Sequence, residues 1–102
     1  MTALLLLTLA AAPLEIRVLE REVPSRVHLE AARITCDGKP LPTVVDAEAS
    51  VREVRVGTAT CTQVVAEDEV SVTVKETKRK YPGQIRVSLQ GGLLRLINVV
   101  DV

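Results

Sequence analysis

Two cysteines, one histidine, an acidic triplet and a basic cluster are the residues of this chain whose types and spacing could do chemistry. Cys36 and Cys61 stand 25 positions apart. In an oxidising compartment such a pair can close a disulfide, and a loop of that size would stabilise a fold by about 3.5 kcal/mol in the chain-entropy model. In a reducing compartment the same two residues are buried free thiols. Sequence leaves both readings open. A zinc site is not expected, because there is a single His and no CxxC pairing. His28, in "RVHLE", has no Ser, Cys or Asp at a spacing that suggests a proton relay, and reads as an exposed bystander. Glu67, Asp68 and Glu69 lack the spaced partner that would make a cation site. Lys75, Lys78, Arg79 and Lys80 could touch an anionic polymer or lipid headgroups, but two solvated strand ends or turns of opposite sign account for both clusters. Gly91-Gly92 lies between two apolar stretches and not ahead of a helix, so it is a turn and not a phosphate cradle. No catalytic residue, cofactor or metal is expected from these residues.

The elements that must position them belong to one small domain, since the chain has 102 residues. Thirteen basic and thirteen acidic residues give a net charge of zero, which argues against a nucleic-acid partner. Tyr81 is the only aromatic residue. Stacking platforms for bases or sugars therefore cannot be built, and the core must come from Val, Leu, Ile and Ala. The start, "MTALLLLTLAAAP", carries ten uncharged residues at positions 3–12. That is the length of an export-signal core and too short to span a bilayer. It predicts a leader over residues 1–12, cleaved or kept as an anchor; the alternative is a buried N-terminal strand or helix.

Beyond the leader the dominant signal is period-two alternation rich in β-branched residues. Leu14, Ile16 and Val18 alternate with Glu15 and Arg17; Val27, Leu29 and Ala31 with His28 and Glu30; Val70, Val72 and Val74 with Ser71 and Thr73. Asp37-Gly38 offers a turn, and Gly57 marks a bulge or turn. "KPLPTVV", with two prolines, reads as loop or edge. Residues 43–54 contain the best helix formers, Ala47, Glu48 and Ala49, and predict at most a turn of helix. The fold class is mainly β: a small antiparallel sheet or sandwich-like module with little helix, ending in a β-hairpin.

In that hairpin Pro82-Gly83 forms a turn, "QIRVSLQ" runs out, Gly91-Gly92 reverses the chain and "LLRLINVV" returns. A two-residue loop sets Leu89 opposite Leu94, Val87 opposite Leu96 and Ile85 opposite Asn98, which makes one face apolar on both strands. Past Leu96 the alternation fails, because Ile97, Val99 and Val100 put apolar groups on both faces. Such a strand needs cover on both sides. The expectation is that something follows Val102 to supply it.

The stretch "YPGQIRVSLQGGLLRLINVVDV" resembles the opening of the SpoIID family domain (stage II sporulation protein D and the amidase enhancer LytB). Tyr81 and Gly83 match the family's Tyr-x-Gly turn, and Leu94, Leu96 and Asn98 match its Asn-bearing strand. Val99 to Val102 match the approach to a helix that begins Glu-Asp-Tyr. The resemblance implies a parent similar to lytic transglycosylases that cut peptidoglycan glycan strands stripped of stem peptides. Its catalytic acid would be the Glu following Val102, so no catalytic role falls on any residue of this chain.

The expected organisation is a leader (1–12), a β-rich N-terminal segment (13–80) and the first hairpin of a truncated SpoIID-like domain (81–102). The expected function is the non-catalytic N-terminal part of an exported cell-wall protein in the periplasm, envelope or extracellular space. Its partners would be peptidoglycan glycan strands and other cell-wall proteins, with membrane contact only through an uncleaved leader. The alternative is a self-contained secreted β-module that binds peptidoglycan or a partner protein.

Overall fold

The structure, a computed structural model, describes residues 14–18 and 24–100. The leader expected over residues 1–12 lies outside the described residues.

Twelve strands follow one another with no helix among the described residues: β1 (Leu14–Val18), β2 (Arg26–Glu30), β3 (Arg33–Cys36), β4 (Lys39–Leu41), β5 (Val44–Ala49), β6 (Val54–Val56), β7 (Ala59–Cys61), β8 (Gln63–Glu67), β9 (Val70–Val74), β10 (Thr77–Tyr81), β11 (Gln84–Gln90) and β12 (Leu93–Val100). They form two six-stranded sheets, ordered β1-β12-β11-β8-β3-β4 and β10-β9-β2-β5-β6-β7. Every pairing is antiparallel. The mainly β, sandwich-like class read from the alternation is the observed one.

The alternation builds the sandwich directly. In β2 Val27 and Leu29 are buried while Arg26 lies exposed, and in β9 Val70, Val72 and Val74 all turn inward. From the other sheet Ile34, Val64, Ala66, Ile85, Val87, Leu94 and Leu96 complete the core. It contains no aromatic side chain, so its packing rests on many small branched contacts.

Both hairpins and sheet crossings connect successive strands. Asp37-Gly38 closes β3–β4 with φ of 49° and 86°, and Gly91-Gly92 closes β11–β12 with φ of 62° and 80°. Both are turns whose two central residues need positive φ, the kind whose twist suits a hairpin. The register of the last hairpin is the one its apolar pattern dictates, with Leu89 opposite Leu94, Val87 opposite Leu96 and Ile85 opposite Asn98. This hairpin lies inside the first sheet: β12 pairs with β1 and β11 with β8. Leu94, Leu96 and Asn98 face the second sheet and are buried, whereas Ile97, Val99 and Val100 are half-buried.

Two segments differ from their sequence reading. Residues 43–54 contain no turn of helix; they hold β5, a four-residue reversal and the start of β6. Val45 and Ala47 are buried while Asp46 lies outside, so period two overrides the helix propensity of Ala and Glu once β2 and β6 supply partners. The basic cluster Lys75 to Lys80, read as a solvated strand end or turn, divides between the β9–β10 turn and β10, a strand at the edge of the second sheet.

Candidate functional site

Tyr81, Gly83 and Asn98, the residues that carry the family resemblance, meet at one corner. Here the chain leaves β10 in the second sheet and enters β11 in the first. Gly83 has φ of 74°, and a Cβ at this position would collide with the backbone carbonyl oxygen of Val99. Only glycine satisfies both demands. Asn98, 5% exposed, lies across the corner. Its Nδ2 donates to the carbonyl oxygens of Pro82 at 2.7 Å and Gln84 at 3.0 Å. An amide on an apolar face must find partners, and these two carbonyls are the partners. Tyr81 ends β10 opposite Val70 and packs half-buried against the core. Gly83 and Asn98 hold the sheet-to-sheet bend in place, and Tyr81 and Gly83 line an open depression beside Asp68, Glu69 and Lys80.

The opposite end of the sandwich holds Cys36 and Cys61, bonded to each other with their Cα atoms 5.4 Å apart. The bond joins β3 of the first sheet to β7 of the second. Asp37, next to Cys36, ties the same place together through its carboxylate. It accepts from the backbone N–H of Thr62 at 2.9 Å and of Gln63 at 2.9 Å. Those two backbone donors hold the Asp37 carboxyl below its ordinary value.

His28 is not the bystander its sequence context suggests. It lies on the outer face of β2, opposite Asp46 of β5. Its Nδ1 is 2.8 Å from Asp46 Oδ1 and its Nε2 is 3.3 Å from Glu30 Oε1. The bond to Asp46 is the main cause of a raised imidazole pKa, opposed by partial burial. Asp46 moves the other way, lowered first by His28. Arg26 bridges Asp46 and Glu48, at 3.5 and 3.6 Å, and Lys78 reaches Glu30 at 3.7 Å. The signal that could have found this cluster is cross-strand, i to j, and needed β5 to be recognised as a strand.

The two carboxyls with a resolved shift, Asp37 and Asp46, are both pushed down. A general acid for glycosidic cleavage needs the opposite shift. Both are built to accept hydrogen bonds as anions. Of the acidic triplet, Asp68 and Glu69 form the β8–β9 crossing with φ of 65° and 56°, and Glu67 pairs with Arg33 at 3.3 Å. Lys78, Arg79 and Lys80 lie exposed along β10. Among the described residues no group of His, Cys, Asp and Glu is placed to hold a metal ion.

No protein-family model matches the chain, and no curated protein or solved structure is significantly similar to it.

Proposed function

We propose that this chain is the N-terminal, non-catalytic β-sandwich portion of an exported SpoIID-like cell-wall protein, whose whole cleaves peptidoglycan glycan strands or enhances an amidase. One observation carries the reading: the motif residues Gly83 and Asn98 lock the Pro82-Gly83 bend against β12, directly after Tyr81 at the end of β10. A resemblance spread over unrelated surface positions would have no such physical basis. The role of the corner would be to aim β12 at whatever follows it. A cross-sheet Cys36–Cys61 bond suits an oxidising, extracytoplasmic setting.

A second reading, a self-contained secreted β-module that binds peptidoglycan or a partner protein, is favoured by the core shared between the two sheets.

The source DNA beyond the codon for Val102 separates the two. An open frame running on into Glu-Asp-Tyr, with the encoded protein releasing soluble fragments from denuded glycan strands, is the expected result. A stop codon directly after Val102 overturns the first reading in favour of the second.

A further inference from the structure

Ion pairs are distributed unevenly over the outer faces of the two sheets: Arg33 of the first sheet pairs with Glu67, while Arg55 and Lys80 of the second have no carboxylate partner among the described residues. On the second sheet Arg26 bridges Asp46 and Glu48, Lys78 reaches Glu30, and His28 sits between Asp46 and Glu30. On the first sheet the edge strand β1 and its neighbours β12 and β11 bring three arginines together. Arg17 and Arg86 both lie opposite Ile97, one from each side, and Arg95 follows two residues before Ile97 on the strand between them. Arg17 and Arg86 are two strand spacings apart, about 9.5 Å between backbones. The one carboxylate seen among them pairs with Arg86 alone: Glu15 Oε1 accepts from Arg86 Nη1 at 3.1 Å. Among the described residues Arg17 and Arg95 have no carboxylate partner, and both are exposed. A chain with zero net charge has thus gathered local positive charge on one flat face.

We propose that this face binds a linear glycan carrying a carboxylate in each repeat, with Arg17 and Arg95 as the two recognition cations. The guanidinium fork pairs with carboxylates bidentately, and the bond from Glu15 to Arg86 shows that a carboxylate fits among these side chains. The depression they line is open to solvent, which leaves room for an extended polymer to lie across it. Ile97 supplies a half-buried apolar floor for the hydrocarbon face of a sugar ring. Ser88, opposite Arg95, and Gln63, opposite Ser88, offer a hydroxyl and an amide to sugar hydroxyls. Recognition is by charge and hydrogen bonding, because the single aromatic residue, Tyr81, lies at the sheet corner. The choice of a glycan rests on the cell-wall reading above; the arginine geometry does not.

The test is equilibrium binding of the 102-residue protein to peptidoglycan glycan strands freed of stem peptides, whose lactyl carboxylates are then exposed. Hyaluronan serves as a second carboxylated glycan and polyphosphate as a phosphate polyanion. Binding should weaken with added salt and with amidation of the carboxylates. Arg17→Gln/Arg95→Gln should bind roughly tenfold more weakly or worse, with an unchanged melt because both side chains are exposed. Arg17→Lys/Arg95→Lys should recover part of the affinity. Lys78→Gln/Lys80→Gln, on the other basic strip, should bind as the unaltered protein does. Binding to hyaluronan that depends on Arg17 and Arg95, with none to peptidoglycan strands, supports the carboxylated-glycan site and counts against the cell-wall reading. The proposal is overturned if the Arg17/Arg95 variant keeps full affinity, if the Lys78/Lys80 variant is the one that loses it, if polyphosphate is preferred, or if neither glycan binds.

Discussion

The buried Asn98 side-chain amide donates twice, to the Pro82 and Gln84 carbonyl oxygens. Pro82 is exposed and Gln84 half-buried, so water can replace a lost donor and each bond contributes a net of about 0.5–1.5 kcal/mol. Asn98→Ala should therefore cost roughly 1–3 kcal/mol. Asn98→Asp, nearly the same shape, should cost at least as much, because it replaces the donor with an acceptor and buries a charge. Urea unfolding of the two variants checks this; an Asp variant as stable as the unaltered protein would show that shape and not donation is what the corner needs. His28 allows a second expectation at this scale. Its pKa is raised above the ordinary 6.5, chiefly by Asp46. The folded state therefore holds the proton more tightly than the unfolded one. The stabilisation is complete below about pH 6.5 and disappears as pH rises through the raised value. Asp46, lowered from 3.8, contributes above that value and stops contributing as pH falls through its lowered one. The side chains of His28 and Asp46 are 35% and 46% exposed, so solvent screening keeps the pair to about 1 kcal/mol or less. The difference in melting temperature between the unaltered protein and His28→Gln should be largest near pH 5–6 and shrink by pH 8, measured by calorimetry across that range.

At the level of elements, sequence was most legible where an apolar face is continuous and a turn is unambiguous. The β11–β12 register follows from Gly91-Gly92 and the match of Ile85, Val87 and Leu89 to Leu94 and Leu96, and any slip of one residue would turn those side chains outward. β2 and β9 were legible for the same reason. β5 was not, because Ala47, Glu48 and Ala49 are good helix formers in isolation, and only pairing with β2 on one side and β6 on the other makes them a strand. β10 hid for another reason. As an edge strand it need bury little, and its Lys78, Arg79 and Lys80 resemble a solvated run; the same charges discourage pairing with another chain. The site residues follow this division. Asn98 drew notice as an amide on an apolar face, and its partners lie on a bend that the sequence also marks. The His28–Asp46 contact and the Arg17–Arg86–Arg95 grouping depend on which strands become neighbours, and β1 beside β12 joins residues from opposite ends of the described chain. No local pattern encodes that adjacency.

For the whole molecule the question is what holds two sheets together without aromatic side chains. One end is held by the sheet corner at Gly83 and Asn98. At the other, β4 and β7 are edge strands of three residues each, too short to contribute many ladder bonds. The Cys36–Cys61 bond lies at that weaker end and joins β3 directly to β7. A domain of this size has a net stability of about 5–15 kcal/mol. The chain-entropy contribution of a loop of 25 residues, about 3.5 kcal/mol, is then a large share of the total. Cys36→Ser/Cys61→Ser should lower the free energy of unfolding by about that amount. It should also raise the urea m-value, because an unfolded chain without the link exposes more surface. Reduction of the unaltered protein with dithiothreitol should reproduce both changes and leave the double variant untouched. An unaltered protein indifferent to reductant would mean that core packing alone holds the sheets at this end. The residues next to the bond would soften its loss, since the Asp37 carboxylate still accepts from the backbone of Thr62 and Gln63, where the chain passes from β7 into β8. That carboxyl is pushed below its ordinary value, so its contribution persists at neutral pH and fails as pH falls through the lowered value. The reduced protein should consequently be more acid-sensitive than the oxidised one, because at low pH the weaker end loses its second tie as well as its first.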